Sequence, residues 1–279
     1  MRELNVKQIE DTVYALFISA CCEIGEDVLS LLEKNLKTEE SPFGREVLRQ
    51  LIENDHLAAQ KKMPICQDTG MAVIFMDVGQ DVHLTGGDVN EAIENGVRRA
   101  YRDGCFRASV LSPLTRVNTK DNTPAIVHTR IVPGEQVTLT AAPKGFGSEN
   151  MSRLWMLTPS QGVEGVKNAI VETVRLAGGN PCPPVVVGVG IGGTAERAML
   201  MAKHSLTREC GTPSDDPMLA NMERELLERI NKLGIGPQGL GGRTTALAVH
   251  IEQMPTHIAG LPVAVNMQCH AARHKTAVI

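Results

Sequence analysis

The spacing of apolar residues changes near residue 63, and this change most constrains the fold. Up to about residue 62, apolar residues recur every three or four positions, which predicts helices. The first helix is expected at about Val6–Lys37, and Ser41-Pro42 predicts the start of a second. Beyond this segment, short strand-like runs alternate with helical ones. The pattern predicts an α+β fold in a single domain of residues 1–279, in which a helical segment (1–62) precedes a mixed core (63–279).

Within the mixed core, apolar runs bounded by turn residues predict strands at 71–78, 185–189, 245–251 and 262–265. Capping and stop signals predict helices that run from Asp88 to Gly104, from Ser160 to Gly178, from Thr194 to Ser205 and from Asp216 to near Gly234. Residues 125–132 and 136–142 flank Pro133-Gly134-Glu135, and this arrangement predicts a β-hairpin.

Composition excludes several classes of protein. The net charge is −4 and aromatic residues make up 3% of the chain, which argues against nucleic-acid binding. No stretch approaches the roughly 18 apolar residues that a membrane span requires. The N-terminus lacks the apolar core of a signal peptide. We therefore expect a soluble, cytoplasmic protein without a nucleic-acid or membrane partner.

Three of the seven cysteines lie in turn-rich segments far apart in the chain. Cys66 follows Pro-Ile, Cys182 lies in Asn-Pro-Cys-Pro-Pro, and Cys269 lies in Gln-Cys-His-Ala. Structural zinc sites use cysteines two to four residues apart, and electron-transfer clusters use close cysteine runs, so neither pattern fits. Three isolated thiols instead predict a metal centre with one open coordination position. The remaining cysteines are expected to be small buried residues: Cys21, Cys22, Cys105 and Cys210.

Three glycine-rich loops lie at 144–148, 188–193 and 234–243. The second matches G-x-G-x-x-G between a predicted strand and a predicted helix, so a dinucleotide-dependent oxidoreductase is one alternative. The motif lies two-thirds of the way along the chain, and no acidic residue ends a second strand about 20 residues later. The other interpretation is a turn whose amides face an anion. Together the loops predict close approach of backbone to a ligand or partner surface.

Seven short motifs occur along the chain: Cys-Gln-Asp-Thr-Gly at 66–70, Phe-Arg-Ala-Ser at 106–109, Val-Asn-Thr at 117–119, Lys-Gly-Phe-Gly-Ser at 144–148, Cys-Pro-Pro at 182–184, Gly-Val-Gly-Ile-Gly-Gly-Thr at 188–194 and Gln-Cys-His-Ala at 268–271. Their order resembles the α subunit of the two-subunit class I fumarases. The resemblance runs from about residue 10 to the C-terminus, and its specificity lies in the joint order of the motifs. This is a family of iron–sulfur hydro-lyases whose relatives include L(+)-tartrate dehydratase.

The resemblance implies a cofactor and a reaction. Family members bind a 4Fe–4S cluster through three cysteines, which match Cys66, Cys182 and Cys269. The fourth iron is open and acts as a Lewis acid on the substrate. The implied reaction is the reversible hydration of fumarate to L-malate, a step of the tricarboxylic acid cycle without redox change.

The resemblance also implies residues that bind and process the substrate. Gln67, Arg107 and the Gly147 amide match groups that hold a dicarboxylate. Asp68 is the candidate that assists proton removal, and His257 matches the family's substrate-contacting histidine twelve residues before the third cysteine. The alternatives are a turn carboxylate at Asp68, a structural histidine at 257 and a surface arginine at 107.

Two further expectations concern the partner and the substrate. In the family, the general base and further cationic side chains come from a separate C-terminal region, and the present sequence ends at Ile279, soon after the third cysteine. An obligate β subunit and an α2β2 assembly are therefore expected. Ser148 stands where tartrate enzymes tend to carry a cysteine, which favours fumarate, although Phe146 departs from the more usual glycine. Tartrate dehydratase is the alternative, and a non-catalytic metal-binding scaffold is a third hypothesis.

Overall fold

A computed structural model describes all 279 residues. The helices are α1 Val6–Cys22, α2 Glu26–Thr38, α3 Pro42–Lys61, α4 Val89–Asp103, α5 Phe146–Glu149, α6 Gly162–Ala177, α7 Ala195–Ser205 and α8 Pro217–Asn231. The strands are β1 Arg2–Asn5, β2 Met71–Gly79, β3 Val82–Thr85, β4 Ile126–Val132, β5 Val137–Lys144, β6 Arg153–Leu157, β7 Val185–Gly192, β8 Ala246–Met254, β9 Leu261–Gln268 and β10 Lys275–Val278. Two 3-10 turns lie at Pro159–Gln161 and Pro237–Gly239. The mixture of helices and strands confirms the predicted α+β class.

The chain divides into two compact units. Unit 1 comprises residues 1–24, 55–146 and 273–279, and unit 2 comprises residues 25–54 and 147–272. Both units are therefore built from segments that are distant in the sequence. The grouping of the chain into one hydro-lyase domain stays a prediction. None of the helices is long and apolar enough to cross a membrane.

Unit 1 packs two helices against a four-stranded sheet of order β10-β5-β2-β4. Alternate residues of the central strand, such as Ile74 and Met76, point into a core that they share with Ile9 and Phe17 of α1 and Ile93 of α4. This alternation is what a strand with one face against helices requires. The core fixes β2, into which the loop after Lys61 leads, and β5, from which the loop after Lys144 departs.

The hairpin predicted from residues 125–142 is wrong. Strand β2 lies between β4 and β5, parallel to β4 and antiparallel to β5. The connecting turn crosses the end of β2, where the Gly79 amide donates to the Gln136 carbonyl at 2.8 Å and the Asp81 amide to Gly134 at 3.0 Å. Residues 72–76 of β2 are all buried, so this apolar strand takes an interior position in the sheet and separates β4 from β5.

The N-terminal segment is less uniformly helical than predicted. Residues 2–5 form β1, which pairs in parallel with β3. The helix expected at about Val6–Lys37 is two helices, because the Glu23 amide ends α1 on the Ser19 carbonyl and Gly25 is the N-cap of α2. The chain also passes from unit 1 to unit 2 at this break. Helical spacing alone did not reveal an interruption of three residues.

Unit 2 is built around a sheet of order β6-β9-β7-β8, with helices on both faces. Strand β7 is parallel to β8 and antiparallel to β9. Val187 and Val189 of β7 face a core formed with Ile170 of α6 and with Leu226 and Ile230 of α8. The opposite face of the sheet packs against α7.

The glycines of the dinucleotide-like motif serve this packing. Gly188 and Gly190 lie within β7 and not in the turn after it. A Cβ atom on Gly188 would lie 2.1 Å from the Ala202 carbonyl oxygen, and one on Gly190 would lie 2.1 Å from that of Ala198. Only glycine permits this approach of α7 to the sheet. A dinucleotide fingerprint places its glycines around the phosphates after the strand, so this motif does not fit that fingerprint.

Candidate active site

In unit 1, the loop before β2 carries Cys66, Gln67 and Asp68. The Cys66 sulfur accepts a hydrogen bond from the Asp68 amide at 3.4 Å and lies 3.3 Å from Oε1 of Gln67. Gln67 is exposed, whereas Cys66 and Asp68 are half-buried. The Asp68 amide and the Gln67 side chain thus orient the Cys66 sulfur within the loop. The loop thus presents a thiol and a side-chain amide together at the surface.

The Asp68 carboxylate ties this loop to the first glycine-rich loop. One oxygen accepts from the Gly70 amide at 3.0 Å, and the other accepts from the Phe146 amide at 2.9 Å. The buried guanidinium of Arg273 donates to the Asp68 carbonyl oxygen. Both carboxylate oxygens therefore already have amide donors, which is the arrangement of a turn carboxylate that positions its neighbours.

Gly70 completes the link between the two loops. Its φ of +76° lies in the left-handed region, and a Cβ atom would lie 2.5 Å from the Lys144 carbonyl carbon. A side chain at this position would separate the two backbones. The Tyr101 hydroxyl donates to the carbonyl of Gly70 at 3.1 Å and to that of Thr69 at 2.8 Å. Burial raises the pKa of Tyr101 well above its usual value, so the hydroxyl keeps the proton that it donates.

Arg107 is exposed and belongs to the same group of loops. Its carbonyl oxygen accepts from the Thr69 hydroxyl at 3.3 Å, so its backbone lies next to the loop that carries Asp68. Asn122 holds the following residues, because its Oδ1 accepts from the Ser109 amide at 2.8 Å and its Nδ2 donates to Gly70 at 3.1 Å. Unit 1 therefore brings together four predicted site residues: Cys66, Gln67, Asp68 and Arg107.

Unit 2 brings the other two cysteines together at one end of its sheet. Cys182 lies just before β7 and Cys269 just after β9, and the antiparallel register pairs Val186 with Gln268. The His270 amide donates to the Cys182 carbonyl at 3.2 Å, which joins the two turns directly. Cys182 is exposed and Cys269 is half-buried. Cys182 and Cys269 are 87 residues apart in the sequence, so no local pattern predicted that they lie close together. Their proximity depends on the order of the strands.

Gly147 lies beside the same turn. A Cβ atom on Gly147 would lie 3.3 Å from the carbonyl oxygen of Asn180, two residues before Cys182. Gly147 is exposed, whereas the adjacent Ser148 is buried. The predicted amide donor and two predicted metal ligands therefore share one end of unit 2.

His257 lies at the opposite end of that sheet. It belongs to the connection between β8 and β9, where the Thr256 hydroxyl donates to the Gly193 carbonyl at 2.8 Å. The eight residues of β9 separate it from Cys269, which corresponds to about 25 Å at the usual rise per residue. Nδ1 of His257 accepts from the Ala259 amide at 3.2 Å, so the neutral ring carries its proton on the exposed Nε2. Within one chain, His257 does not approach Cys182 or Cys269.

Exposure separates the predicted ligands from most of the other cysteines. Cys21, Cys22 and Cys210 are buried, and burial raises the pKa of all three thiols, that of Cys21 to about 12. These thiols are not available as thiolates near neutral pH. Cys105 is the exception to the prediction of burial, because it is exposed at the end of α4.

The residues present fit a thiolate-bound group, although no complete metal site is visible in either unit. Neither unit contains three or more His, Cys, Asp or Glu side chains grouped so that they could hold a metal ion. Each unit instead offers accessible sulfur, from Cys66 in unit 1 and from Cys182 and Cys269 in unit 2. The metal role of these three cysteines, and the substrate roles of Gln67 and Arg107, stay predictions.

Two residues that support these loops escaped the sequence analysis. Arg273 contacts the Asp68 backbone, and Gln238 contacts the residue after Cys182. Arg273 lies four residues after Cys269, so its position beside a family motif was the available signal. Gln238 lies inside the third glycine-rich loop, and no local pattern marks it.

Comparison with known proteins agrees with the motif order. The family model described as fumarate hydratase (fumerase) matches residues 10–278. A protein of Methanocaldococcus jannaschii, named as a candidate L(+)-tartrate dehydratase subunit alpha, is 44% identical over 272 residues, which cover 95% of this chain and 95% of the relative. L(+)-tartrate dehydratase subunit alpha of Escherichia coli K12 is 31% identical over 258 residues, covering 91% of this chain and 85% of the relative. The chain therefore belongs to the fumarate hydratase family.

Proposed function

We propose that this chain is the α subunit of an iron–sulfur hydro-lyase that interconverts fumarate and L-malate. The observation that carries the proposal is the hydrogen bond of 3.2 Å from the His270 amide to the Cys182 carbonyl. It keeps the turns of two accessible cysteines, Cys182 and Cys269, side by side. Paired, accessible thiols from distant loops are what a cluster with protein ligands requires.

Cys66, Cys182 and Cys269 are the proposed ligands of a 4Fe–4S cluster. Such a cluster, when bound, supplies a Lewis acid that polarises the substrate hydroxyl or alkene carboxylate. The accessible surfaces of these thiols, in contrast to buried Cys21 and Cys210, support the assignment.

The other predicted residues of the chain bind and orient the dicarboxylate. The exposed Arg107 guanidinium and Gln67 amide are suitable donors to carboxylate oxygens, and so is the Gly147 amide. Asp68 holds its loop through two amide contacts, which supports an assisting role for this residue and a general base from elsewhere. We propose that a β subunit supplies that base.

The names of the relatives support this division of labour. Both relatives described above are named as alpha subunits, and this chain covers 85–95% of their lengths. An α2β2 assembly, localised in the cytoplasm, is the proposed state of the enzyme.

His257 fits this assembly only if it acts on a second copy of the chain. The length of β9 places it about 25 Å from Cys269 of its own chain, too far for both to touch one C4 substrate. We propose that, in an assembly with two α copies, the exposed loop that carries His257 in one copy contacts the site of the other.

L(+)-tartrate is the second candidate substrate. The relatives described above are named for tartrate dehydratase, which favours it, whereas Ser148 in the first glycine-rich loop favours fumarate. Both reactions remove or add water next to a carboxylate, so the same groups would serve either substrate.

Turnover of the co-expressed αβ protein, prepared and assayed without oxygen, tests the proposal. We expect hydration of fumarate and dehydration of L-malate, with kcat/KM for L-malate exceeding that for L(+)-tartrate. The reverse ratio would reassign the substrate to tartrate. Absence of both activities from protein loaded with four irons would overturn the hydro-lyase assignment.

A further inference from the structure

The third glycine-rich loop, Gly234–Arg243, lies against the turn that carries Cys182. The Gln238 main-chain amide donates to the Pro183 carbonyl oxygen at 2.7 Å, and its side-chain Nε2 donates to the same oxygen at 3.1 Å. One residue thus satisfies both lone pairs of the carbonyl that directly follows Cys182. The loop thus lies against another segment of the same chain, and its predicted approach to a ligand or partner surface stays a prediction.

Prolines limit the main-chain donors of the Cys182 turn. Three of its residues are prolines, at 181, 183 and 184, and prolines donate no main-chain hydrogen bond. Cys182 has a φ of +54°, in the left-handed region that a residue with a side chain seldom adopts. The Cys182 amide donates to the Gly179 carbonyl at 3.0 Å, and the carbonyl groups of the turn accept from elsewhere, that of Pro183 from two donors.

The supporting loop is itself anchored. Gln238 has a φ of +53°, which is also left-handed. The buried Glu39 carboxylate accepts from the amides of Arg243 at 2.9 Å, Thr244 at 2.8 Å and Ser41 at 3.0 Å. These contacts fix the end of the loop, so Gln238 is held in place before any ligand binds.

The two backbones also touch near Gln238. A Cβ atom on Gly239 would lie 2.6 Å from the Cα atom of Gly179, three residues before Cys182. Glycine on both sides therefore permits the approach that brings the Gln238 donors to Pro183.

We propose that Gln238 is a positioning residue that holds the Cys182 turn in the conformation needed for metal binding. The inference rests on the proposed function, in which Cys182 is a cluster ligand. Gln238 acts through the Pro183 carbonyl and contacts neither substrate nor metal.

Two variants of the full-length chain test this role, with a matched control. Gln238→Glu keeps the size of the side chain but replaces the donor with an acceptor that faces the Pro183 carbonyl. Gln238→Gly keeps the main-chain donor and relieves the positive φ, so it lacks the side-chain bond alone. Gln60→Glu makes the same chemical change at an exposed position near the end of α3.

Two readouts are measured on each protein. The rate of amide hydrogen exchange at Cys182 in the iron-free chain reports how often the turn opens in the absence of a cofactor. The rate of iron release from the anaerobically reconstituted protein to a chelator reports how firmly Cys182 holds the metal. We expect both rates to rise about fivefold in Gln238→Glu and less in Gln238→Gly, as for the loss of one hydrogen bond, with no change in Gln60→Glu.

The outcomes separate this inference from the proposed function. If the wild-type chain binds four irons and both Gln238 variants match it in exchange and iron release, the positioning role is wrong and the cluster assignment stands. If exchange at Cys182 rises but the wild type binds no iron, the role of Gln238 in the turn is supported and the cluster assignment fails. Equal increases in exchange across all of unit 2 would indicate general destabilisation and overturn the specific role.

Discussion

The main-chain amide of His270 donates a hydrogen bond of 3.2 Å to the carbonyl oxygen of Cys182. This contact joins residues 88 positions apart, because β9 returns antiparallel alongside β7. Cys269, the neighbour of His270, is thereby held next to the Cys182 turn. Two of the three predicted metal ligands thus share one end of a sheet, at positions that depend on strand order.

Asp68→Asn tests whether Asp68 mainly stabilises its loop or takes a direct part in the reaction. Each carboxylate oxygen accepts one main-chain hydrogen bond, from the amide of Gly70 or of Phe146. In the variant, one of these amides would face the NH2 group of asparagine, which is itself a donor. We expect a loss of about 1–2 kcal/mol in the free energy of unfolding, measured by urea denaturation. Asp81→Asn, at an exposed turn, is the control and should change stability by less than about 0.5 kcal/mol. Unchanged stability together with lost activity would instead assign Asp68 a direct role in the chemistry.

Glu39→Gln tests whether the ionised Glu39 carboxylate anchors the third glycine-rich loop, because the stability that it contributes should depend on pH. Burial alone would raise the pKa of the Glu39 carboxyl, but the amides of Arg243, Ser41 and Thr244 outweigh it and hold the pKa below its ordinary 4.5. The ionised carboxylate therefore stabilises the folded state above about pH 4.5, and this contribution is lost as the pH falls through the lowered value.

At pH 7 we expect Glu39→Gln to lower the free energy of unfolding by about 2 kcal/mol. The difference from the wild type should shrink as the pH falls below about 4.5. Glu40→Gln, which alters an exposed ion pair with Arg243, should cost under about 1 kcal/mol. A Glu39→Gln penalty that is constant between pH 7 and pH 3 would show that the ionised form is not what anchors the loop.

His257 is predicted to act across two copies of the chain. Chains carrying Cys182→Ser and chains carrying His257→Asn should each be inactive alone with the β subunit. Co-expressed in equal amounts, they should recover about a quarter of the wild-type activity, because half of the assemblies are mixed and one of two sites in each is intact. No recovery, with mixed assemblies demonstrated by affinity tags, would contradict the arrangement. Full activity of His257→Asn alone would remove this residue from the site.

Local signals in the sequence predicted many element boundaries. The predicted caps were confirmed at Ser41, which accepts from Gly44 at 3.1 Å, at Asp88, which accepts from Asn90 at 2.7 Å, and at Asp216. The predicted strands were confirmed as β2, β7, β8 and β9. These features depend on residues close together in the chain, for which periodicity and capping chemistry are direct signals.

The arrangement of strands that are distant in the chain could not be predicted from such local signals. The position of β2 between β4 and β5 depends on burial in the assembled sheet, and the Pro133-Gly134 turn is equally compatible with a hairpin. Strand β1 was missed because its pairing partner, β3, lies some 80 residues away. The motif order predicted the candidate site residues, but only strand topology revealed that His257 lies far from Cys269.

The iron content of single cysteine variants shows whether Cys66, Cys182 and Cys269 bind a cluster. Cys66→Ser, Cys182→Ser and Cys269→Ser are compared with Cys105→Ser after anaerobic reconstitution. Cys105 is a close match for Cys182, because both are exposed and both have a φ just above +50°. We predict four irons and full hydro-lyase activity for the wild type and Cys105→Ser, with loss of the cluster and of activity in each of the other three. Full iron content and activity in Cys182→Ser would show that Cys182 is not a cluster ligand.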